Sequence, residues 1–427
     1  MHAAPFGQNI KELPSELWIH IFALATHVPK MMDVSPDDPL RANTPMSPHG
    51  NYSHSSFLSA RKSNLSLALV CKHWYNHAMP VLFGMLNAKP GFTLRTLRDT
   101  IVESQRRADA SGPQVRSLGS FTRRLELRQG EGGIYYDNDD FRCLADMLRY
   151  LPNLHIIALE LHRKEVQLPN FVIETLLQTS GHSLRRVYIN PKSKIRLLPN
   201  QYESIIARCP QIRAVYRGGI EESMCAVDLL QASNLSFVDV TTTPCTLTHS
   251  NFGHHSCSST QSALFNECTI ASPAGIRSIQ HFVAVQGRHL RAIFMDIGVT
   301  ALPGGIQGAL NLVEEHCPHL EHLILIIKGW DDLLAAPLRI PPVHRLGLFY
   351  DESYGSSGLG GFSDLFEWFA GCEVPSSTSA VRLLGETQVK KLRALLAAGY
   401  NPGIDRLSNR SYRLEDYEGN LFVVHDQ

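Results

Sequence analysis

The sequence predicts an α/β protein: a small all-helical N-terminal module, then an irregular βα solenoid with parallel strands. Three observations carry this. Apolar helical faces open near Leu13 and again between Ser63 and Ala78. The pattern apolar-x-x-apolar-x-apolar returns through residues 118–385, and a short helical face precedes most of its copies.

In the N-terminal module, Leu13-Pro14-Ser15-Glu16-Leu17 leads into Trp18, Ile21, Phe22, Leu24 and Ala25, the spacing of a helix with one broad apolar face. Pro14 suits a helix entrance and Glu16 its positive end. A second helix is expected over Ser63 to Ala78, with Leu67, Val70, Cys71, Trp74 and Ala78 on one face and Pro80 ending it. Between the two, His27 to Lys62 is rich in Ser, Pro, Asn and His and reads as a flexible inserted loop. So small a unit buries too little surface to stand well alone, and it calls for a partner.

In the array, the repeated pattern falls at Leu154/Ile157/Leu159, Leu184/Val187/Ile189, Leu235/Val238/Val240, Leu290/Ile293/Met295, Leu320/Leu323/Leu325 and Val343/Leu346/Leu348. The preceding helices end at Leu151-Pro152, Cys209-Pro210 and Cys317-Pro318, because proline cannot continue a helix. Each unit has two apolar faces that only stacked neighbours can cover, so one continuous core is expected. Residues 240–275 read as an irregular insertion, and Gly360 and Gly361 as part of a loop. Thr387 to Ala398 reads as a capping helix stopped by Gly399.

The boundaries are thus 8–86 for the helical module, with 27–62 inserted; 87–117 for a connecting segment; 118–385 for the array; and 386–427 for the cap and tail.

Strand alternation sends the first, fourth and sixth positions of each copy to the core and the intervening ones to the opposite, concave face. That face would present Arg124, Glu126, Arg128, Arg186, Tyr188, Tyr216, Phe237, Asp239, Phe294, Asp296, His322, Arg345 and Phe349. Arginine and aromatic residues are enriched at binding hot spots, so this row is the candidate target surface.

Lys plus Arg and Asp plus Glu number 40 each, which gives no overall field toward phosphate backbones or anionic lipid. Neither nucleic acid nor membrane is an expected partner. No signal peptide precedes Leu13, and nine cysteines lack disulfide-framework spacing, as suits a reducing cytosolic or nuclear compartment. Local catalytic and nucleotide-binding motifs are absent, so neither a catalytic site nor a cofactor is expected. His249, His254, His255, Cys257 and Cys268 are zinc-ligand types without paired spacing and read as loop residues, so no metal is expected.

The strings LPSELWIHIFAL and LSLALVCKHWYNHAMPVLF strongly resemble an F-box. The resemblance implies a module whose core and docking face include Leu13, Pro14, Leu17, Ile21, Phe22, Leu69, Val70, Cys71 and Trp74, and which binds an SKP-family linker subunit. The array resembles, more loosely, the leucine-rich repeats that many F-box proteins carry. Together they imply a non-enzymatic substrate receptor of an SCF-type cullin-RING ubiquitin ligase, holding a protein substrate of unknown identity.

Overall fold

The computed structural model describes residues 13–28, 32, 40, 54–112, 114–128, 136–160, 166–189, 195–216, 237–240, 261–265, 273–297, 303–327, 337–350, 360–407 and 410–422. The fold is mixed α/β with parallel strands. Twelve strands form one sheet: β1 (Met85–Ala88), β2 (Arg124–Arg128), β3 (Ile156–Glu160), β5 (Arg186–Ile189), β7 (Ala214–Tyr216), β8 (Phe237–Val240), β9 (Ser262–Phe265), β10 (Ala292–Ile297), β11 (His322–Ile327), β12 (Arg345–Tyr350), β13 (Ala380–Leu384) and β14 (Arg413–Glu415). Each pairs in parallel with the next, and the order never reverses. A doubly wound sheet would reverse at a switch point, so this is a stack of successive units. Two short strands, β4 (Val166–Gln167) and β6 (Ile195–Arg196), pair beside the main sheet.

One side of the sheet carries helices α4 (Phe92–Ser111), α5 (Asn138–Leu148), α6 (Asn170–Ser180), α7 (Pro199–Arg208), α8 (Pro273–Gln286), α9 (Pro303–His316), α10 (Gly360–Gly371) and α11 (Glu386–Ala397). Their apolar faces meet the first, fourth and sixth positions of the repeated pattern in one buried cluster: Leu154, Ile157 and Leu159 with Leu144 and Leu148, and Leu320, Leu323 and Leu325 with Leu310 and Val313. Backbone stitching fixes the register. The carbonyl of Arg123 accepts from the N–H groups of His155 and Ile156 at 2.8 and 3.0 Å, and that of Arg291 from Glu321 and His322 at 2.9 Å each.

A further repeat lies in glycines five residues before a strand. A Cβ on Gly119 or Gly287 would collide with the carbonyl oxygen that ends the next unit's helix, at Tyr150 or His316, and one on Gly181 would stand 3.1 Å from that of Arg208. The units stack as closely as a bare backbone allows.

Several expectations need correction. The sheet runs from Met85 to Glu415, past both ends of the 118–385 range, and the connecting segment 87–117 is mostly the long helix α4. Within 240–275 lies strand β9, and Gly360 and Gly361 open helix α10, whose Phe362, Leu365, Phe366 and Phe369 are buried. The single helix over Ser63–Ala78 is two, α2 (His54–Ala68) and α3 (Lys72–Leu82), because the chain turns at Leu69-Val70 and Cys71 starts afresh as an N-cap. Pro80 lies inside α3 rather than ending it. Helix α1 (Ser15–Ala25) completes this module.

The 27–62 insertion is not uniformly loop. Its last residues belong to α2, Val28 and Phe57 are buried with Met85, and Leu40 is fully buried. Residues 29–31, 33–39 and 41–53, and the residues from His249 to Cys268 apart from 261–265, lie outside the described residues.

Candidate functional site

Two surfaces matter. The first is on the helical module. Trp18 and Phe22 of α1 turn inward onto Trp74 of α3, with ring centroids 5.4 and 5.2 Å from it, and Ala68, Ala78, Leu67 and Val81 close the cluster. Phe22 is 1% exposed. His77 is buried beside His73, their rings 4.5 Å apart, and burial followed by that like-charged neighbour lowers its pKa.

With Phe22 buried and Trp18 packed half-buried against Trp74, the apolar residues on the adjacent face of α1 are left exposed. Leu17, Ile21 and Leu24 recur every three or four residues and so share one stripe of the helix, and Leu13 lies just before its start. Leu13, Leu17, Ile21 and Leu24 are 42, 47, 42 and 63% exposed. At the end of α2, Leu65, Leu69 and Val70 are 52, 78 and 60% exposed. Of the residues expected to dock, Leu13, Pro14, Leu17, Ile21, Leu69, Val70 and Cys71 are therefore displayed, whereas Phe22 is core and Trp74 largely so. Cys71 holds the start of α3, its Sγ accepting from the Trp74 N–H at 3.5 Å. These residues make an exposed apolar patch on a small module.

The second surface is the sheet face opposite the helices. The register puts Arg124, Ile156, Arg186, Ala214 and Phe237 in one row, and Glu126, Ala158, Tyr188 and Tyr216 in the next, as alternation requires. Their exposure is not as expected. Arg124, Glu126, Arg186, Tyr188, Phe294 and Asp296 are all buried, while Arg128, His322, Arg345 and Phe349 are partly buried. Side chains of Tyr216, Phe237 and Asp239 lie outside the described residues.

The basic end of this row is no open cationic patch. Arg124 donates from Nε and Nη2 to Glu126 Oε1 at 2.9 and 2.7 Å, and Arg128 Nε donates to Oε2 of the same carboxylate at 3.0 Å. At the far end Arg382 pairs with Glu415 in the same way, at 3.1 and 2.8 Å. Between the two ionic clusters the face mixes charged and polar residues, Arg186, Asp296, His322 and Arg345, with an apolar cluster of Ala292, Phe294, Ile324, Ile326 and Leu384 that also holds Tyr188 and Leu40.

No protein-family model and no curated protein matches this chain. The remaining chemistry is quiet. Cys209 and Cys317 are buried, and burial pushes both thiols up to about 12; Cys372 rises to about 11 for the same reason. These are thiols held away from the thiolate form. A charged groove between α4 and α5 has its ions paired, Arg98 with Asp99 at 2.7 Å and Arg149 with Asp146 at 3.2 Å. Among the described residues, no cluster of His, Cys, Asp or Glu could hold a metal ion, and no helix is long and apolar enough to cross a membrane.

Proposed function

We propose that the chain is a substrate-receptor subunit of an SCF-type ubiquitin ligase, working in the cytosol or nucleus. The observation that carries this is the exposed apolar stripe Leu17-Ile21-Leu24 of α1, with Leu13 just before the helix, beside the face on which Phe22 is buried and Trp18 half-buried. It falls within the F-box-like string, where an SKP-family linker subunit would cover it. The stack of sequential parallel units supports the leucine-rich-repeat-like reading of the array, which holds the target. The receptor supplies no chemistry of its own. Holding a target lysine near the charged transfer enzyme makes a bimolecular encounter effectively local.

The test is co-purification. Full-length protein with Leu17→Asp and Ile21→Asp should lose linker and cullin while keeping its melting temperature, because both side chains are displayed rather than packed. Failure of the intact protein to retain either subunit under gentle conditions defeats the ligase reading and leaves an interaction scaffold. Substitution is cleaner than deleting residues 1–86, which would remove half of β1 and strip the edge of β2.

A further inference from the structure

We infer that the rim of the array where its first strands begin, at Arg123, His155, Arg185 and Arg213, binds an acidic protein segment whose carboxylates recur three residues apart. This rests on the reading of the array as the target-holding half and is independent of how the ligase is attached.

The second position of each repeated copy lies one residue before its strand, and there successive units are joined through the main chain. The N–H of His155 donates to the carbonyl of Arg123, that of Arg185 to His155 and that of Arg213 to Arg185, each at 2.8 Å. The four residues thus occupy one ladder position, a strand spacing of about 4.8 Å apart, with Arg123 and Arg185 about 10 Å apart. Arg213 is exposed, and Arg123, His155 and Arg185 are partly exposed.

Nothing acidic in the neighbouring chain answers them. The stretches that form this rim, 114–123, 149–155, 180–185 and 208–213, hold six arginines, two histidines and no Asp or Glu. Arg149 and Arg208 find Asp146 and Glu174 on the helices. Among the described residues, no carboxylate pairs with Arg116, Arg123 or Arg185. Burial and then the charges of Arg116 and Arg185 lower the pKa of Arg123, and burial and then Arg185 and Arg123 lower that of His155. Farther along the same ladder the position is neutralised, Arg291 pairing with Glu321 of the next unit. Like charges facing each other on adjacent strands are destabilising. The first units retain a repulsion that the later ones avoid, and an anion laid across the rim would relieve it.

Charge and span identify the occupant. Three strand spacings are about 14 Å, a short basic stretch on a chain with no net charge, whereas a nucleic-acid surface neutralises many phosphates. A protein segment in polyproline II form returns to the same face every three residues, about 9.3 Å. That repeat matches the step from Arg123 to Arg185, and each guanidinium offers a planar fork to a carboxylate.

The probe is a fluorescent peptide of four Glu-Pro-Pro repeats, titrated against full-length protein with no linker or cullin present. It should bind at low salt and weaken as salt rises. Gln-Pro-Pro repeats should not bind, and four adjacent glutamates flanked by the same prolines should bind at least fivefold more weakly. Arg116→Gln with Arg185→Gln should weaken the Glu-Pro-Pro peptide at least tenfold without lowering the melting temperature, since both side chains leave like-charged surroundings. Arg291→Gln, on the neutralised rung, should leave binding unchanged. Equal affinity for the two glutamate spacings, or for the intact and doubly substituted proteins, overturns the site. So does an equal loss in Arg291→Gln, tighter binding of a single-stranded oligonucleotide of the same charge, or a lower melting temperature in the double variant, which would make these arginines structural. Because the assay lacks ligase components, its failure leaves linker docking standing, and failed linker docking leaves the rim standing.

Discussion

Arg124 is 1% exposed and shares Glu126 with Arg128, so its role is structural rather than one of first contact with a target. Removing one partner of a buried pair strands the other, at about 3–5 kcal/mol. Arg124→Ala should therefore lower the urea midpoint sharply, whereas Arg124→Met with Glu126→Leu should recover most of the loss. The pairing was legible: residues two apart in a strand share a face, and Arg-x-Glu-x-Arg puts opposite charges side by side. Burial was not legible, because it arises from contacts remote in sequence. His155 offers a second residue-scale prediction. Burial first, then Arg185 and Arg123, lowers its pKa from 6.5 to about 4. The unfolded chain thus takes up the proton first as pH falls. Stability should be full above pH 6.5 and decline from there down to about 4, with buried His77 acting in the same direction. Urea titrations across this range should show a shallower decline for His155→Gln; an unchanged slope would assign the pH dependence elsewhere.

At the scale of elements, the amphipathic helices were readable because 3.6-residue periodicity survives irregular unit length. Helix α10 was hidden by its opening Gly360-Gly361, although Phe362, Leu365, Phe366 and Phe369 kept the helical spacing. The break between α2 and α3 was obscured because Leu67, Val70, Cys71, Trp74 and Ala78 fit one continuous helix; the exposure of Leu69 and Val70 and the extended backbone of Cys71 show the turn. Strands β1 and β14 were missed because each is short and lies at an end, without a full copy of the pattern. The glycines at 119, 181 and 287 share a five-residue offset from the strand that follows, which shows only once the strands are placed. Gly287→Ala should cost about 1–3 kcal/mol through overpacking against the His316 carbonyl, read as a lower melting temperature. The same change at Gly304, where a Cβ meets nothing within 4 Å, should leave melting almost unmoved.

For the whole molecule, the division into helical module and repeating array was legible, and the connection between them was not. Composition alone reads 27–62 as a spacer, yet Val28 and Phe57 sit against Met85 on the first strand while Leu40 sits against the tenth strand in sheet order. A dozen residues reach at most about 40–43 Å. Nine strand spacings laid flat are about 43 Å. A flat sheet would leave that link no slack, so the strands bow toward Leu40. With Val28 seated at the first strand and Leu40 at the tenth, the twelve-residue length of chain between them caps how wide the concavity can be.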